Sequence, residues 1–410
     1  MTVLGARSRQ AWEAAGLKRA PRVLLAFGSL AAGVLIWVFC LHFFYAPDVE
    51  SCFRSTGLSF TACQLADRQL GLWTDPPLRA QEIARMRASN AEWDFMGRTF
   101  LVMALGDISL RDPARKDRCL GVIDQVIDET LRLEKEHGMH FFLMSYSRGV
   151  PYVVQPVRSL FVDGEIALML GVRQMLARRD DYAPLLAQRI DLVVNRMEKG
   201  PVLSSESYPN ECWLFCNTVA LAAIRVSDFV DGRDHSEFCR RWVQTAKDKL
   251  VDPRTGLLIS AYTLDGTPLQ GPEGSSIWSA CVCLRLVDEA FAQDQYERAR
   301  RELIRGWAGF NYSREWPASW PDPPDVDSGL VVPGLRASPS ASGLALIATS
   351  AFRDRDTFSR LAAALDLAGF PVTCDGGLKY AAGNQVGDAV ILYAMVTGPL
   401  WQKVREGRSP

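Results

Sequence analysis

Residues and motifs that several enzyme classes require are absent from this sequence. The 410 residues contain only 4 histidines, and the three beyond the N-terminal region, His137, His140 and His235, do not stand at zinc-ligand spacings such as H-E-x-x-H. The sequence also lacks a G-x-S-x-G nucleophile motif, a P-loop and a G-x-G-x-x-G motif. The sequence therefore does not support assignment to the zinc hydrolases or to the nucleotide-dependent enzymes. We expect neither a metal nor a cofactor.

An excess of charge of either sign is also missing. The chain has 46 Lys and Arg against 47 Asp and Glu, so its net charge gives no reason to expect a nucleic-acid partner. Hydrophobic residues make up 48% and charged residues 23%, which is typical of a globular protein without a disordered tract. The 11 tryptophans could line an apolar cleft, although such side chains pack protein cores more often.

One long apolar run is present near the N-terminus. Residues 23–45 carry no formal charge, and as a helix at about 1.5 Å per residue they would span roughly 34 Å, enough to cross the hydrocarbon layer. Five basic residues and one acidic residue precede the run: Arg7, Arg9, Lys18, Arg19, Arg22 and Glu13. Asp48 and Glu50 follow it. The positive-inside rule therefore predicts a cytoplasmic tail at residues 1–22 and a transmembrane signal anchor at residues 23–45.

The remaining domain boundaries follow from this anchor. We expect an extracytoplasmic linker at residues 46–79 and a helical domain at residues 80–404, on the periplasmic or extracellular side of the cell membrane. A cleaved signal peptide is the alternative, but its apolar core would be unusually long and no A-x-A cleavage site follows it. No other stretch reaches 18 uninterrupted apolar residues, so a single span is expected.

An oxidising compartment would permit disulfides among the cysteines. Of the 10 cysteines in the chain, Cys40 lies in the apolar run and nine lie beyond it. An odd number means that at least one thiol stays free or pairs with another molecule. Spacing cannot assign the pairs, and Cys52 with Cys63, which are close together in the linker, is the most favoured bridge.

Beyond about residue 80 the sequence alternates amphipathic helices with loops. Apolar residues recur at intervals of three and four, as in Ile166, Met169 and Leu170. The predicted helices are 92–110, 116–137, 157–178, 182–199, 211–230, 236–250, 275–292, 295–306, 341–351, 355–368 and 386–396.

The spacing of these helices predicts the fold class. Turn-forming residues at 252–256 and 265–266 enclose an extended segment at 257–263, and the other connections between helices are short. About a dozen paired helices are too many for a simple bundle. We therefore predict an all-α fold, an (α/α) toroid of helical hairpins, preceded by one N-terminal transmembrane helix.

The densest group of reactive side chains is at residues 206–217. There a polar loop leads into a helix whose first turn carries Glu211 and Cys212, and Cys212 and Cys216, four residues apart, would share one helical face. The dipole at a helix N-terminus favours a thiolate, which suits nucleophilic or acid–base chemistry. The structural alternative is that both thiols are buried core residues or belong to a disulfide.

Acidic residues offer further candidates. Asp163 and Glu165 stand at the head of an apolar helix, where they could cap it. If they face an apolar cleft, the pKa of Glu165 would be raised and the residue would suit general acid–base catalysis. Asp325 and Asp327 belong to an acidic loop, for which solvation is the simpler explanation, and Asp388 opens the final apolar helix, where capping is the default.

Around residues 206–217 the sequence resembles the linalool dehydratase/isomerase family, helical-toroid proteins exported from the bacterial cytoplasm. The hallmark of that family is a Cys-Glu-Pro stretch followed by an aromatic residue and then Cys-Asn. Pro209, Trp213, Cys216 and Asn217 stand at the matching places. Two further segments, 159–182 and 250–262, are similar to a helix and to an Asp-Pro-x-x-Gly hairpin of the family.

The resemblance covers about residues 90–400 and implies acid–base chemistry on a terpene alcohol in an apolar, aromatic-lined cleft. The family uses two cysteines, a histidine and an aspartate. By spacing, its first cysteine falls on Ser207, its histidine on Glu165 and its second cysteine on Cys216, while its aspartate has no counterpart that we can place. We therefore expect Cys216, Glu165 and Ser207 to be catalytic. The residues expected to bind substrate are Tyr208, Asn217, Trp213 and Asp163.

Three functions remain open at this point. The leading hypothesis is a membrane-anchored lyase or isomerase that acts on a hydrophobic small molecule, such as a terpenoid alcohol, delivered from the bilayer. The second is a non-catalytic module that binds a lipid or an envelope partner. The third is a six-hairpin glycan hydrolase or lyase, which needs two carboxylates, available from Asp163, Glu165, Asp325 and Asp327. Homo-oligomer formation also stays open.

Overall fold

Helices dominate the computed structural model, which describes residues 23–321, 328–374 and 376–407. The helices are α1 (residues 23–40), α2 (Val49–Cys52), α3 (Phe60–Thr74), α4 (Pro76–Ser89), α5 (Ala91–Arg111), α6 (Lys116–His137), α7 (Leu160–Leu176), α8 (Tyr182–Lys199), α9 (Leu214–Asp231), α10 (Ser236–Lys249), α11 (Gly274–Leu284), α12 (Glu289–Leu303), α13 (Pro339–Ala351), α14 (Arg355–Ala368), α15 (Gln385–Val396) and α16 (Pro399–Glu406). The strands are short: β1 (Cys212–Trp213), β2 (Ala261–Tyr262), β3 (Pro268–Gln270), β4 (Ile304–Trp307), β5 (Phe310–Ser313), β6 (Pro371–Cys374) and β7 (Gly377–Tyr380).

Six of the described helices form a closed inner ring. In chain order α5, α7, α9, α11, α13 and α15 each pack on the next, and α15 packs on α5. Outer helices cover the ring from outside: α6 contacts α5 and α7, α8 contacts α7 and α9, and α12 and α14 pack on α11 and α13. On the remaining side α3 and α4 pack on α15 and α5. This arrangement is an (α/α) toroid, and the predicted all-α fold class is confirmed.

Burial explains why the helices divide into two layers. The inner helix α7 has every residue buried from Leu160 to Leu176, because apolar residues occupy all of its faces. The outer helix α6 buries a single stripe, which includes Val122, Ile123 and Val126 at helical spacing. Complete burial of one such side chain contributes about 1.5–3 kcal/mol, so the inner layer supplies much of the stability of the domain.

Two glycines let α7 approach α9 closely. A Cβ atom added to Gly164 would lie 3.3 Å from the Cβ of Ala220, and one added to Gly171 would lie 2.8 Å from Cγ1 of Val226. Larger side chains at these positions would push the two helices apart. The close contact matters for the site, because α7 carries Glu165 and α9 begins just after Ser207.

The first group of strands leads into α9. β1 pairs antiparallel with β2, with Cys212 opposite Tyr262, and β2 pairs with β3 across a turn in which Gly266 has a φ of +92°. β2 lies inside the segment that the sequence predicts to be extended. Because β1 is held in this sheet, α9 begins at Leu214, and the prediction that it begins at residue 211 with Cys212 on its first turn is wrong.

Two other helix predictions also miss a boundary. The predicted helix 275–292 is two helices, since α11 ends at Leu284 and Asp288 caps α12 by accepting a hydrogen bond from the N–H of Phe291 at 2.9 Å. The predicted helix 295–306 ends at Leu303, after which the chain forms β4. The hairpins β4–β5 and β6–β7 were not predicted.

The segment 46–79 is more than the linker that the sequence predicts. Ser59 caps α3 by accepting a hydrogen bond from the N–H of Ala62 at 3.0 Å. α3 then packs on α15, with Leu65 and Leu70 fully buried. The apolar face of α3 therefore makes this part of the segment a component of the toroid.

The structure contains no disulfide. All ten cysteines lie within the described residues, and Cys52 and Cys63 are free thiols that are not joined to each other, so the predicted Cys52–Cys63 bridge is wrong. Cys52 is buried, and its thiol donates a hydrogen bond to the carbonyl oxygen of Asp48 at 3.6 Å. Cys63 is fixed on a face of α3 and is not in the loop that the prediction assumed.

One helix among the described residues is long and apolar enough to cross a membrane. The candidate span falls in Val23–Cys52, has a mean hydropathy of 2.4 and buries none of its apolar window against the domain. Length and composition fit a membrane span, and an N-terminal signal sequence has the same properties. The predicted tail at residues 1–22 lies outside the described residues.

Candidate active site

A small cavity lies on the axis of the ring. Its volume is about 30 Å³, enough for a water molecule. All six inner helices contribute side chains to its wall, and α16 adds Trp401. The other aromatic residues of the wall are Phe100, Phe215 and Tyr393, and Glu165 is its carboxyl group. The wall is therefore mainly apolar and aromatic around a single acid.

Glu165 is held in this wall by a neighbouring inner helix. The side chain is 1% exposed, and its Oε2 accepts a hydrogen bond from Oγ1 of Thr99 on α5 at 2.5 Å. Burial raises the pKa of Glu165 to about 8; the hydrogen bond from Thr99 opposes this rise and the nearby Glu92 adds to it. Near neutral pH the carboxyl group is therefore mostly protonated and can act as a proton donor.

Cys216 and Ser207 lie next to Glu165. Burial raises the pKa of the Cys216 thiol well above its ordinary value, the neighbouring Ser207 hydroxyl lowers it, and the charges of Glu92 and Glu165 raise it. Apart from this contact with the thiol, the fully buried Ser207 Oγ makes no hydrogen bond among the described residues. Cys216 therefore contacts Ser207 and lies near Glu165, but of these three side chains Glu165 alone lines the cavity. Burial of the Cys216 thiol works against the thiolate that the dipole at the start of α9 favours.

Tyr208 connects this group to the surface. Its hydroxyl accepts a hydrogen bond from the N–H of Met144 at 2.9 Å and donates one to Oε1 of Glu92. Its ring stacks on Tyr146, with the ring centroids 4.5 Å apart. Tyr146 is 42% exposed, so the stacked pair forms a layer between Glu92 and solvent.

The sequence of this region also identifies a family. The profile of the family described as linalool dehydratase/isomerase matches residues 179–386, just over half of the chain. The chain belongs to the linalool dehydratase/isomerase family. The matched segment contains Ser207 and Cys216, whereas Glu165 precedes it and Tyr393 follows it.

Solved structures with a similar arrangement of helices are carbohydrate-active proteins. One is a GH76 alpha-mannanase from Bacteroides thetaiotaomicron, at 11% identity over 76% of this chain and 87% of that chain, with a TM-score of 0.45. Another is the GH76A alpha-1,6-mannanase from Salegentibacter sp. HEL1_6, at 11% identity over 75% and 88%, with a TM-score of 0.48. A possible GH105 family member from Klebsiella pneumoniae matches at 12% identity over 76% and 82%, with a TM-score of 0.47. Structural similarity at these identities and TM-scores gives no information about the activity of this protein.

In this linalool dehydratase/isomerase family member, Asp163 does not reach the cavity. It accepts a hydrogen bond from Nε of Arg158 at 3.0 Å and forms a second ion pair with Arg189. The physical reason is helical geometry: two residues along α7 turn the side-chain direction by about 200°, so Asp163 faces the outer layer while Glu165 faces the axis. Asp163 therefore holds α7 to α8 and is not placed to bind substrate.

Asn217 and Trp213 also serve the local structure. The Asn217 side chain is fully buried; its Oδ1 accepts a hydrogen bond from the N–H of Ser205 at 3.0 Å, and its Nδ2 donates to the carbonyl oxygens of Ser205 and Trp213. Trp213 is half-buried, and its Nε1 donates to Oε2 of Glu211 at 3.2 Å. Neither side chain lines the cavity, and the same holds for Ser207, Tyr208 and Cys216. That Asn217 and Trp213 bind substrate stays a prediction. Their contacts fix the loop that carries Ser207.

Sequence reasoning missed Cys283 on α11, which lines the cavity. Burial raises the pKa of its thiol to about 12, the nearby Ser279 lowers it and the charge of Glu165 raises it, so this thiol too is neutral. No local pattern marks Cys283, because it sits in an ordinary apolar helix. Among the described residues no group of His, Cys, Asp and Glu side chains could hold a metal ion.

Of the other acidic candidates, Asp388 is among the described residues and does not line the cavity. Asp325 and Asp327 lie beyond the described residues. Asp388 is not the cap of α15, a position that Asn384 takes. It accepts a hydrogen bond from the N–H of Tyr380 at 3.0 Å and so joins α15 to β7.

Proposed function

We propose that this protein is a lyase or isomerase that uses Glu165 as a proton donor to a hydrophobic alcohol. The observation that carries the proposal is a carboxyl group protonated at neutral pH in an apolar, aromatic cavity on the axis of the toroid. Raised carboxyl pKa values in clefts are typical of acid–base catalysts. Membership of the linalool dehydratase/isomerase family supports elimination, hydration or isomerisation as the reaction class.

The chemistry can be written with a single acid. Glu165 donates its proton to the hydroxyl oxygen of the substrate, the carbon–oxygen bond breaks and water leaves. The carbocation that forms is stabilised by the faces of aromatic rings such as Phe215 and Trp401. The Glu165 carboxylate then takes a proton from a neighbouring carbon, which gives an alkene and restores the acid.

In this proposal Ser207 and Cys216 bind the leaving group and do not transfer the proton. The Ser207 hydroxyl lacks a protein hydrogen-bond partner apart from the thiol, and a buried polar group in this state is available to a ligand. Neither Ser207 nor Cys216 lines the cavity as described, so we propose that both bind the leaving water once the wall has moved to admit the substrate. The proposal therefore replaces the cysteine–histidine chemistry implied by the resemblance with carboxyl, hydroxyl and thiol groups.

The cavity is too small for a terpenoid as it stands. Its volume of about 30 Å³ holds water only, so a substrate needs side chains of the wall to move. Phe100 and Phe215, which are 8% and 9% exposed, lie at the edge of the buried layer and are the residues we expect to move first.

The apolar helix α1 suits a lipophilic substrate. We propose that it is an uncleaved anchor with the N-terminus in the cytoplasm and the toroid on the periplasmic or extracellular side. The charge asymmetry around residues 23–45 supports this orientation. A substrate dissolved in the bilayer would then reach the domain without crossing water.

The small volume of the cavity, about 30 Å³, favours one alternative, a non-catalytic module that binds a lipid or an envelope partner. A glycan hydrolase or lyase is less well supported, since that chemistry needs a second carboxyl group beside Glu165. Asp163 is ion-paired elsewhere, and Glu165 is the carboxyl group of the described cavity wall.

Incubation of the full-length protein, reconstituted in phosphatidylcholine vesicles, with linalool tests the proposal. Gas chromatography should detect a dehydrated or isomerised product. Glu165→Gln should lower the rate by about 100-fold or more, because loss of a general acid removes that factor. Glu198→Gln, at a side chain 44% exposed on α8, is the matched control and should leave the rate unchanged. Product formation by Glu165→Gln at the wild-type rate would overturn the assignment, and absence of product from the wild type would favour the binding module.

A further inference from the structure

We propose that the hairpin β4–β5 is a second membrane contact, which places the side chain of Trp307 in the lipid interface beside α1. The proposal deepens the anchoring proposed above and rests on it. Trp307 is 61% exposed at the end of β4, and the neighbouring Phe39 is 53% exposed, so the two rings form an apolar surface that core packing does not account for.

Ring contacts hold the hairpin against the end of α1. The ring centroids of Phe39 and Trp307 are 6.2 Å apart. The rings of His42 and Tyr45 each lie 6.3 Å from the ring of Phe310 on β5. The tip of the hairpin is thus in contact with α1 and with residues 41–45, which follow α1.

The position of Phe39 sets the depth of the hairpin tip. Phe39 lies inside the candidate span and inside α1, which is helical to residue 40. Six residues at about 1.5 Å each place Phe39 about 9 Å before Tyr45, where the apolar run ends. If α1 crosses the bilayer, the Trp307 ring beside Phe39 must lie at the boundary between acyl chains and headgroups. Tryptophan is enriched at this depth.

The turn is shaped to fit α1. Ala308 and Gly309 have φ values of +50° and +85°, as in the tight two-residue turns of hairpins. A Cβ atom on Gly309 would lie 2.3 Å from Cγ of His42, so only glycine allows this approach. Such a close fit distinguishes the contact from a loop that merely passes near the helix.

Basic side chains accompany the tryptophan. Arg305 and Trp307 are two residues apart on β4 and therefore lie on the same face of the hairpin. Nη1 of Arg305 donates hydrogen bonds to the backbone carbonyl oxygens of Arg301 at 3.0 Å and Ile304 at 2.7 Å, at the end of α12. Arg301 is exposed at the same end of α12, next to the base of the strand. An aromatic ring at the tip with arginines behind it suits the headgroup layer, where phosphate groups are available.

Quenching of tryptophan fluorescence tests the contact. The full-length protein is reconstituted in phosphatidylcholine vesicles with and without lipid brominated near the carbonyl end of its chains. Of the 11 tryptophans, Trp37 in α1 and Trp307 are the two that the proposal places in lipid. Trp307→Phe should therefore remove roughly half of the quenchable emission. Trp320→Phe changes a tryptophan that the proposal does not place in lipid, so it is the matched control and should leave that emission unchanged.

Trp37→Phe separates this inference from the anchor. A loss of quenchable emission in both Trp37→Phe and Trp307→Phe supports the hairpin contact. A loss in Trp37→Phe alone overturns the hairpin contact and leaves the anchor standing. No bromine quenching in the wild type overturns the anchor, and the hairpin contact with it.

Discussion

The acid of the candidate site depends on the burial of one residue. Glu165 has the same side chain as the exposed glutamates of the outer helices, yet burial raises its pKa to about 8. A carboxyl group of this kind is neutral where an exposed one is charged. Its chemistry follows from the environment that α5, α7 and α9 create.

This pKa predicts how stability depends on pH. The pKa of Glu165 is raised from 4.5 to about 8 on folding, so the folded state binds the proton more tightly than the unfolded state. The stabilisation by the proton is complete below about pH 4.5 and is lost as the pH rises towards 8. In denaturant titrations from pH 5 to 8, the free energy of unfolding should fall less for Glu165→Gln than for the wild type. Parallel pH profiles would show that Glu165 is not buried as described.

Substitution of Cys216 tests whether its thiol is a buried neutral group. Cys216→Ser puts a more polar hydroxyl into a site that is 6% exposed, which should lower the free energy of unfolding by about 1–3 kcal/mol. Cys374→Ser, at a half-buried position on β6, should change it by at most about 0.5 kcal/mol. In the native wild type, Cys216 should resist iodoacetamide at pH 7, because its pKa is raised. Rapid alkylation would restore the thiolate hypothesis.

At the scale of elements, the loop before α9 is held in place by a few hydrogen bonds. The loop carries Ser207 and Tyr208, and Asn217 connects the start of α9 to Ser205 through both backbone groups of that residue. This amide therefore helps to hold Ser207 beside Cys216.

Asn217→Ala should show this dependence. The substitution leaves the buried N–H and C=O of Ser205 unpaired, so the free energy of unfolding should fall by roughly 2–3 kcal/mol. The exposed Asn195→Ala on α8 should stay within about 0.5 kcal/mol of the wild type. Any activity of the wild type should fall in Asn217→Ala through displacement of Ser207. Equal stability of the two variants would mean that the loop is held by other contacts.

At the scale of the whole molecule, α1 is the described helix that is long and apolar enough to cross a membrane. Its length and composition fit a membrane span and a signal sequence equally. The anchor that we propose rests on the basic residues ahead of α1 and the acidic residues behind it.

A reporter fusion and an N-terminal tag distinguish these topologies. Alkaline phosphatase fused after residue 60 should be active, because that enzyme works only outside the cytoplasm. A tag ahead of Met1 should stay on the mature protein and remain in the membrane fraction after a high-salt wash. Loss of the tag would indicate a cleaved signal peptide, and an inactive fusion would reverse the orientation.

The sequence by itself determined the features that depend on local order. The helices predicted at 116–137, 182–199 and 355–368 have the same bounds as α6, α8 and α14, because periodic apolar positions and terminal residues act within the helix. The sequence also made Glu165 a candidate from its place at the head of an apolar helix, and Ser207 a candidate from the spacing of the family resemblance. Their roles stay predictions.

Only the tertiary structure decided the features that depend on contacts between distant residues. β1 exists because it pairs with residues 261–262, and this pairing moves the start of α9. Asp163 and Glu165 look equivalent in sequence. In the folded ring, however, Asp163 forms an ion pair with Arg158 and Glu165 faces the cavity on the axis. Cys283 comes beside Glu165 only when the ring closes. Burial also set the protonation of the acid and the thiols, since desolvation depends on everything that surrounds a group in space.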